Sequence, residues 1–535
     1  MTQHTITFQP SGRTLDVPAG ITILEAAIRA GISIEAPCGG GGTCAKCRVR
    51  VASGDPLPQH GACRLTEAEH AAGWRLACAT IINGPLIVEV PGARAAQILT
   101  SDTGVSVALD PLLPPDAVAP MLGVAFDLGT TTVVGTLFDL ATGLPCAVAS
   151  DLNGQIAHGD DVVARIRHAR ENSEGARQLQ TAVLKTLNKL LSSLTEQANV
   201  STSAIYAVTL AGNTAMQQLL LGRDSRALGE VPFAPAFHDA QNLHATEIGL
   251  LTNPAAHLYV FPQVGGFVGG DTVSCMLAAN FDAPAEPALL IDIGTNGEIA
   301  LVRDGEILCA STAAGPAFEG ARISCGMRAT TGAIDQITLR DNDIACRTIG
   351  NAEAVGLCGT ALIDVAAELL RAGILDETGR LLEPGEAAHL SPALRARVTM
   401  ENDAPAFRLD ANVLLRQQDI RELQLATAAI RAGVETLLKL ANLTPDDLGR
   451  VCLAGAFGNL IRPANAQRIG LLPAVSADRI RFIGNASSLG AKTALLNRHA
   501  RDRAESLRRV SRHIDLGSLP DFQDAFVNAI LFPTE

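Results

Sequence analysis

Four cysteines near the start of the chain have the spacing of iron-sulfur ligands. Cys38, Cys44, Cys47 and Cys78 follow one another in the order CX5CX2CX30C. A 2Fe-2S cluster needs four thiolates, and the four consecutive glycines after Cys38 free the backbone so that its amides can point at the cluster sulfurs. A zinc site would more naturally present two CX2C pairs, whereas here only one pair has that spacing. The pattern therefore predicts a 2Fe-2S cluster.

The fourth ligand has a competitor, because Cys63 lies between Cys47 and Cys78. Thr66 and Glu69 form a capping-box pattern that starts a short helix. The chain after Gly73 then returns toward the glycine-rich loop. This return delivers Cys78 to the other three cysteines, so we predict Cys78 as the fourth ligand.

A second chemical signal is a motif that occurs twice. Residues 122–139 and residues 288–302 each form an apolar strand that ends in Asp, then a Gly-Thr turn, then another apolar strand. In such a hairpin the glycine lets the backbone approach a phosphate, the turn amides and hydroxyls donate hydrogen bonds, and the Asp can hold hydrated Mg²⁺. We therefore assign Mg²⁺ to Asp127 and Asp292. The predicted phosphate contacts are Gly129, Thr130, Thr131, Thr132, Gly294, Thr295, Asn296 and Gly297.

A third segment, residues 451–459, is a strand followed by small residues at a turn. Taken alone, it is a buried strand that leaves the sheet. After two phosphate hairpins, the same pattern favours a surface on which a flat adenine and ribose lie against backbone. The predicted adenosine contacts are Gly455, Ala456 and Gly458.

Two glycine-containing loops add candidate residues. Asp271 follows the flexible run Gly265-Gly266-Phe267-Val268-Gly269-Gly270 at a predicted helix start. It is positioned either to orient an attacking water or bind metal, or simply to cap the helix. Gly315 lies in residues 314–320, a loop whose backbone would complete the phosphate cradle. Glu298 and Glu319 are further candidate acids, with pairing to a nearby arginine as the alternative.

Residues 484–493 resemble a Walker A loop, but the spacing is one residue too long because Ala491 separates the glycine from the lysine. We interpret this segment as a strand-to-helix turn at the rim of the adenosine site.

The elements that must position these residues follow from local patterns. Residues 5–8 and 13–17 alternate around a Ser-Gly turn and predict a hairpin, and residues 23–30 predict a helix that Gly31 stops. A final strand is predicted at 86–90. We divide the chain into a 2Fe-2S domain (1–93), a Pro-rich linker (94–120), a first ATPase lobe (121–285) and a second lobe with the adenosine motif and C-terminal segment (286–535). A structured loop packed on a neighbour is the alternative to the linker.

Composition limits the function classes. The 535 residues exceed one ordinary core, and with 47% hydrophobic and 18% charged residues the chain is globular. No apolar run approaches the ~20 residues of a membrane span. A net charge of −13 argues against nucleic acid as a partner. The eight cysteines outside the cluster set have no disulfide framework. The sequence therefore predicts a cytoplasmic protein without membrane or nucleic-acid partners.

These motifs carry resemblances to known families. Residues 1–93 resemble the 2Fe-2S ferredoxins of the β-grasp fold, with the CX5CX2C spacing of the adrenodoxin branch. The two hairpins and the 451–459 turn resemble the phosphate-1, phosphate-2 and adenosine motifs of the acetate and sugar kinase, Hsp70 and actin superfamily. This resemblance implies an actin-like, Hsp70-like fold of two similar α/β lobes with ATP in the cleft, after an α+β ferredoxin domain.

Together, the parts resemble the ATP-dependent reductive activators of corrinoid proteins. The resemblance implies one-electron reduction of a Co(II) corrinoid to Co(I) in a methyltransferase system. It also implies a corrinoid protein partner, an upstream low-potential reductant, MgATP and a homodimer. The partner stays open among a corrinoid iron-sulfur protein, a demethylase corrinoid subunit and a cobalamin-dependent methionine synthase. No cysteine follows Cys452, so the C-terminal clusters of some activators are absent, and the short link before Asp127 leaves little room for an extra middle domain.

Two other functions remain alternatives. The lobes would phosphorylate a small molecule if the ferredoxin part is only a redox sensor. The chain would be a simple electron carrier if the nucleotide lobes are only a docking module. The activators of 2-hydroxyacyl-CoA dehydratases hold a 4Fe-4S cluster between subunits and lack a ferredoxin extension, so the CX5CX2C loop disfavours them.

Overall fold

The computed structural model describes residues 3–10, 12–30, 32, 34, 47–54, 56–58, 65–90, 107–340, 342–455 and 461–534. Its contacts divide the chain into two compact units. One consists of Met1–Ile98 and Leu152–Val183, and the other of Leu99–Asp151 and Leu184–Glu535.

The N-terminal part of the first unit is a small mixed sheet with two short helices. Its strands are β1 (Gln3–Gln9), β2 (Arg13–Pro18), β3 (Arg48–Ser53), β4 (Leu57–Pro58), β5 (Trp74–Leu76), β6 (Thr80–Ile81) and β7 (Leu86–Glu89), and its helices are α1 (Ile23–Arg29) and α2 (Glu67–Ala71). Five strands pair in the order β2-β1-β7-β3-β5, with β1 and β7 parallel. This arrangement confirms the β-grasp ferredoxin fold.

The local predictions for this region hold. β1 and β2 form the antiparallel hairpin, and α1 occupies the predicted helix. Thr66 and Glu69 make both hydrogen bonds of the capping box before α2. Ile6 and Phe8 alternate with more exposed residues along β1 and are fully buried, so one face of the sheet forms the core. The last strand, β7, lies at the centre of the sheet, between β1 and β3.

The Leu152–Val183 part of the first unit is largely helical. α3 (Val162–Glu171) begins after Asp161, whose side chain accepts a hydrogen bond from the Ala164 amide. α4 (Gly175–Gln197) starts in this unit and continues into the second.

The second unit contains two six-stranded sheets, and five strands of each share the same order when the second sheet is read from its other end. The first has the order β10-β9-β8-β11-β13-β12 and the second β24-β23-β14-β15-β16-β25. The first sheet consists of β8 (Leu122–Leu128), β9 (Thr132–Asp139), β10 (Pro145–Leu152), β11 (Ile205–Gly212), β12 (Gln241–His244) and β13 (His257–Val260). The second consists of β14 (Ala288–Ile293), β15 (Gly297–Arg303), β16 (Glu306–Thr312), β23 (Arg450–Ala454), β24 (Ile480–Gly484) and β25 (Ser511–His513).

In each sheet the strand that ends in the motif Asp has equivalent neighbours. β8 pairs antiparallel with β9 and parallel with β11, and β14 pairs antiparallel with β15 and parallel with β23. The sequence repeat thus marks a structural repeat, and the predicted pair of similar α/β lobes is confirmed.

The remaining elements surround these sheets. The strands are β17 (Ala333–Arg340), β18 (Asp343–Thr348), β19 (Gly356–Leu357), β20 (Val398–Glu401), β21 (Ala404–Arg408) and β22 (Leu414–Arg416). The helices are α5 (Thr214–Leu220), α6 (Gly270–Ala278), α7 (Gly359–Arg371), α8 (Pro392–Arg397), α9 (Gln417–Leu440), α10 (Pro463–Arg468), α11 (Ala486–Leu496), α12 (His499–Val510) and α13 (Pro520–Ala529). Among the described helices, none is both long and apolar enough to cross a membrane.

Two helices bring the lobes together. α6 and α11 pack closely: a Cβ added at Gly490 would lie 2.1 Å from the Ser274 carbonyl oxygen, and the Ser274 hydroxyl donates to the Ser487 carbonyl over 2.6 Å. α11 follows β24 of the second sheet, yet it packs on β8 of the first, where Leu495 contacts Gly123. The strands that carry the two motif Asp residues, β8 and β14, therefore both lie near this helix pair.

The C-terminal end of the predicted linker is anchored in the second unit. The Asp110 amide donates to the Leu496 carbonyl over 2.9 Å, and the Arg498 amide donates to the Asp110 carbonyl over 2.8 Å. The carboxylate of Asp110 also pairs with the Arg498 side chain over 2.9 Å. Residues 107–110 are thus packed against the end of α11.

Candidate functional site

Two of the four predicted cluster ligands meet in the structure. Cys47 directly precedes β3, and Cys78 lies in a 3-10 turn directly after β5, the antiparallel partner of β3. Their sulfur atoms are 3.2 Å apart and both residues are buried, with 1% and 6% exposure. This distance is far longer than a disulfide bond, so the two sulfur atoms are not bonded to each other. Two convergent thiols fit a thiolate-ligated cluster, whereas Cys38, Cys44 and Cys63 lie outside the described residues.

The first motif hairpin has a tight turn that requires its glycine. The Gly129 amide donates to the Thr132 carbonyl over 3.1 Å, and a Cβ at Gly129 would lie 2.5 Å from that same oxygen. Thr130 accepts a hydrogen bond from Asn213 Nδ2 over 2.9 Å. Asn213 caps α5, so the strand-to-helix turn after β11 supports the phosphate hairpin. Thr131 lies in the same turn and is partly exposed.

The second hairpin is built similarly, with a more open turn. The Gly294 amide donates to the Asn296 carbonyl over 3.0 Å. The Thr295 hydroxyl donates to the Glu319 carboxylate, which ties this turn to the loop that contains Gly315. Gly315 has a φ of +74° and open space where a Cβ would lie. Gly297 differs from these residues because it is buried in β15 and packs against Ile430 of α9.

α6 places an acid and a thiol next to the second hairpin. Its N-cap is Gly269, so the helix-cap interpretation of Asp271 is wrong; Asp271 lies in the first helical turn and accepts a hydrogen bond from the Thr272 amide over 2.7 Å. Cys275, one turn later, donates to Asp292 Oδ2 over 3.4 Å. The N-terminal part of α6 therefore faces the acid of the second hairpin.

α11 holds the acid of the first hairpin. Asn485 Nδ2 donates to Asp127 Oδ2 over 2.7 Å, and the Ser487 hydroxyl donates to Asp127 Oδ1 over 2.8 Å. The predicted strand-to-helix turn at residues 484–493 is confirmed, since β24 ends at Gly484 and α11 starts at Ala486. Its side chains reach the first phosphate hairpin, a contact that the sequence did not predict.

The adenosine segment lies beside the second hairpin. Gly455 has a φ of +104°, and a Cβ there would lie 2.5 Å from the Ile293 carbonyl oxygen and 3.2 Å from Asp292 Oδ1. Only glycine allows this turn to pass so close to the motif Asp. Ala456 and Gly458 lie outside the described residues.

Burial raises the pKa values of four acids near α6. Burial, opposed by the Thr272 amide and reinforced by Asp292, raises the pKa of Asp271 to about 7. Burial also raises the pKa of Asp292 to about 6, although the Cys275 hydrogen bond opposes it. The pKa of Glu298 is raised well above its usual value by burial and then by Asp271 and Asp292. Asp271, Asp292 and Glu298 are each partly buried as whole residues.

Burial raises the pKa of Asp127 as well, but Asn485, Ser487 and the charge of Lys492 act in the opposite direction. A group of acids that repel one another is a site that a cation would stabilise. Within the described part of the chain, no three Asp, Glu, His or Cys residues are arranged to hold a metal ion alone.

Comparison with known proteins decides the family. Residues 6–83 match a model described as a 2Fe-2S iron-sulfur cluster binding domain, residues 122–284 match the RACo middle region, and residues 286–535 match the C-terminal domain of RACo, the ASKHA domain. The chain is 35% identical over 421 residues to the corrinoid activation enzyme RamQ of Eubacterium limosum, covering 77% of this chain and 70% of RamQ. The chain belongs to the RACo family.

Other RACo-like proteins agree. A solved structure of a reductive activator for a corrinoid, iron-sulfur protein matches with a TM-score of 0.71 and 31% identity, over 99% of this chain and 98% of that chain. The [Co(II) methylated amine-specific corrinoid protein] reductase of Methanosarcina barkeri is 24% identical over 449 residues, covering 78% of each protein. The predicted resemblance to corrinoid activators is thereby confirmed. The match to the RACo middle region begins at residue 122, after the link to the ferredoxin part, and coincides with the first lobe.

Sequence reasoning missed three side chains of this candidate site: Cys275, Asn485 and Ser487. Cys275 follows Asp271 by four residues, so helical spacing alone puts both on one face of α6. Asn485 and Ser487 show only an N-cap pattern, and their contact with Asp127 spans 358 and 360 residues. No local signal could have revealed that contact.

Proposed function

We propose that this chain is an ATP-dependent reductive activator that restores the Co(I) state of a corrinoid protein in a methyltransferase system. One observation carries the nucleotide part of the proposal. The acids of the two motif hairpins, Asp127 and Asp292, are hydrogen-bonded by α11 and α6, and these helices contact each other through Ser274 and Ser487. The acids of both hairpins thus lie at one helix pair, which supports the proposal that the two turns bind the phosphates of one nucleotide.

The N-terminal domain supplies the electron. Cys38, Cys44, Cys47 and Cys78 are the proposed ligands of a 2Fe-2S cluster, which when bound provides single-electron transfer at about −400 mV or somewhat higher. The 3.2 Å approach of the Cys47 and Cys78 sulfurs supports this set. Because Co(II) reduction is uphill from donors of this potential, electron transfer alone would stall.

The cleft supplies the nucleotide chemistry. We assign Mg²⁺, held largely through water, to Asp127 and Asp292. We assign phosphate binding to Gly129, Thr130, Thr131, Thr132, Gly294, Thr295, Asn296, Gly297 and Gly315, and adenosine binding to Gly455, Ala456 and Gly458. The open space at Gly315 supports backbone approach by a ligand.

Asp271 is the proposed proton acceptor. A water oxygen bonds to the γ-phosphorus, the bond between that phosphorus and the β,γ-bridging oxygen breaks, and the water proton passes to the Asp271 carboxylate. ADP leaves with the electron pair of the broken bond. Lobe closure driven by ATP changes the docked partner only if ATP binds the two lobe states with different affinity.

The partner class follows from the relatives. RamQ is named for corrinoid activation, and the Methanosarcina barkeri relative is named for a Co(II) corrinoid protein. We propose a corrinoid methyltransferase protein as the electron acceptor, a low-potential reductant as the donor, a cytoplasmic location and a homodimer.

The test is the fate of the γ-phosphate. Purified protein is incubated with MgATP and a Co(II) corrinoid protein, with the corrinoid protein omitted in one arm and a small-molecule extract added in another. We expect release of free phosphate that the corrinoid protein changes in rate. Transfer of phosphate to a small molecule would support the kinase alternative, and absence of hydrolysis in every arm would refute the ATP-dependent activator.

A further inference from the structure

The carboxylate of Asp127 is held at both oxygens by the start of α11. Asn485 donates to one oxygen over 2.7 Å and Ser487 to the other over 2.8 Å. Two bonds to the two oxygens fix both the position and the rotation of the carboxylate, which a single bond would leave free to turn. The first motif acid therefore has one defined orientation.

Asn485 does this with an amide that serves two partners. Its Oδ1 accepts the Ser488 amide over 2.9 Å and so caps α11, while its Nδ2 donates to Asp127. Aspartate at this position would cap the helix equally well but has no donor for Asp127. The amide thus performs a task that the helix cap alone does not require.

We propose that Asn485 and Ser487 are positioning residues for ATP hydrolysis, which set the orientation in which Asp127 meets hydrated Mg²⁺. This inference rests on the proposed function. It assigns to the start of α11 a role in the chemistry of the first lobe, although the helix follows a strand of the second sheet.

A purely structural role is the competing interpretation, and the structure separates the two. α11 is fixed to its neighbours without the Ser487 hydroxyl: the Thr209 hydroxyl donates to the Ala491 carbonyl over 2.8 Å, and Ser274 donates to the Ser487 backbone over 2.6 Å. Removing the hydroxyl should leave the helix in place. If the hydroxyl acts by positioning Asp127, its removal should weaken Mg²⁺-dependent ATP binding and hydrolysis while α11 stays folded.

The experiment compares three single variants of the full chain. Ser487→Ala removes the donor, Ser487→Thr retains a hydroxyl, and Ser488→Ala is the matched control, because Ser488 is equally buried and it is its backbone amide that bonds Asn485. Mg²⁺-dependent binding of ATP is measured by calorimetry, and kcat and KM are measured across Mg²⁺ concentrations. Thermal unfolding is recorded for each variant.

For Ser487→Ala we expect a 10–100-fold rise in the Mg²⁺ concentration needed for half-maximal binding and rate, the usual size for loss of a supporting contact. kcat should fall more than KM for ATP rises. Ser487→Thr should recover most of the loss, and Ser488→Ala should behave as wild type.

Equal Mg²⁺ dependence in Ser487→Ala and Ser488→Ala would overturn the proposal. A large fall in unfolding temperature with unchanged Mg²⁺ dependence would also overturn it, in favour of the structural role. If the wild-type chain neither binds nor hydrolyses ATP, the proposed function itself fails. If the wild type is active and Ser487→Ala is unaffected, only the positioning role fails.

Discussion

Asp292 and Glu298 lie directly opposite each other across the β14–β15 hairpin, so their side chains extend from the same face of the sheet. Ser311 is the next residue in the same row, on β16, and its hydroxyl donates to Glu298 over 3.4 Å. Like charges directly opposite each other destabilise a sheet. The raised pKa of Glu298 follows from burial together with Asp271 and Asp292.

This pairing predicts the behaviour of Glu298→Gln. A glutamine has the shape of the protonated acid and carries no charge, so the nucleotide-free protein should unfold at a higher temperature at pH 7.5. ATP hydrolysis should stay within about threefold of wild type, because the proposed proton acceptor is Asp271. A loss of about 100-fold, typical of general base removal, would move that role to Glu298. Calorimetry and a phosphate-release assay give the two readouts.

The acids also predict how hydrolysis depends on pH. Asp271, with a pKa of about 7, and Asp292, with a pKa of about 6, must be deprotonated to act in the free enzyme. kcat/KM should therefore rise with pH through 6 to 7 and level off above that range. The rise of kcat with pH should lie at lower pH than the rise of kcat/KM, because bound Mg²⁺ favours the deprotonated form of the carboxylates. A flat profile from pH 5.5 to 8 would contradict these assignments.

The same pKa shifts predict that stability falls as pH rises, whereas the rate of hydrolysis increases. The folded-state pKa values lie above the ordinary value of 3.8, so between about pH 4 and 7 the native protein binds more protons than the unfolded chain. The contribution of these acids to stability is present at low pH and is lost as pH rises through that window. Asp271→Asn should remove part of this loss and raise the free energy of unfolding at pH 7.5 by about 1 kcal/mol, roughly the worth of one pKa unit.

The two motif acids show which parts of the site can be predicted from the sequence. The hairpins that carry Asp127 and Asp292 were predictable because alternation of apolar strands and a Gly-Thr turn are local features. The partners of these acids were not, because Cys275, Asn485 and Ser487 reach them only through packing of α6 on α11. The alternative in which Asp271 caps the helix was wrong because the N-cap is Gly269, two residues earlier, a glycine that packs against Asn213.

The cluster domain gives a similar lesson. Spacing predicts four ligands but cannot choose between Cys63 and Cys78, whereas the pairing of β3 with β5 puts Cys78 beside Cys47. Boundaries are also hard to read from composition. The Pro-rich segment at 110–116 looks like a free linker, yet Asp110 bonds to the end of α11.

The cluster assignment predicts a difference among cysteine variants. Cys78→Ser should lose most of the iron and the visible absorbance of protein prepared without oxygen, whereas Cys63→Ser should keep both. Cys146→Ser is the control, since Cys146 is exposed on β10. Iron analysis and visible spectroscopy decide the matter. Full iron content in Cys78→Ser with loss in Cys63→Ser would reassign the fourth ligand.

Gly455 predicts the cost of blocking the adenosine turn. In Gly455→Ala the new methyl group would lie 2.5 Å from the Ile293 carbonyl oxygen, so we expect KM for ATP to rise at least tenfold. Gly305→Ala is the matched control: Gly305 also has positive φ, at +82°, but has open space around the added atom. That control should cost only the backbone strain of about 1–2 kcal/mol and leave KM unchanged. Equal KM values in both variants would remove Gly455 from the nucleotide site.

The most direct test asks whether cobalt reduction by the cluster domain depends on ATP in the lobes. Protein reduced without oxygen is mixed with a Co(II) corrinoid protein, and the cobalt spectrum is followed with MgATP, without nucleotide, and with the Asp271→Asn variant plus MgATP. We predict that Co(I) accumulates with wild type and MgATP and falls at least tenfold in the other two arms. Equal rates and yields of Co(I) in all three arms would contradict an activator that depends on ATP.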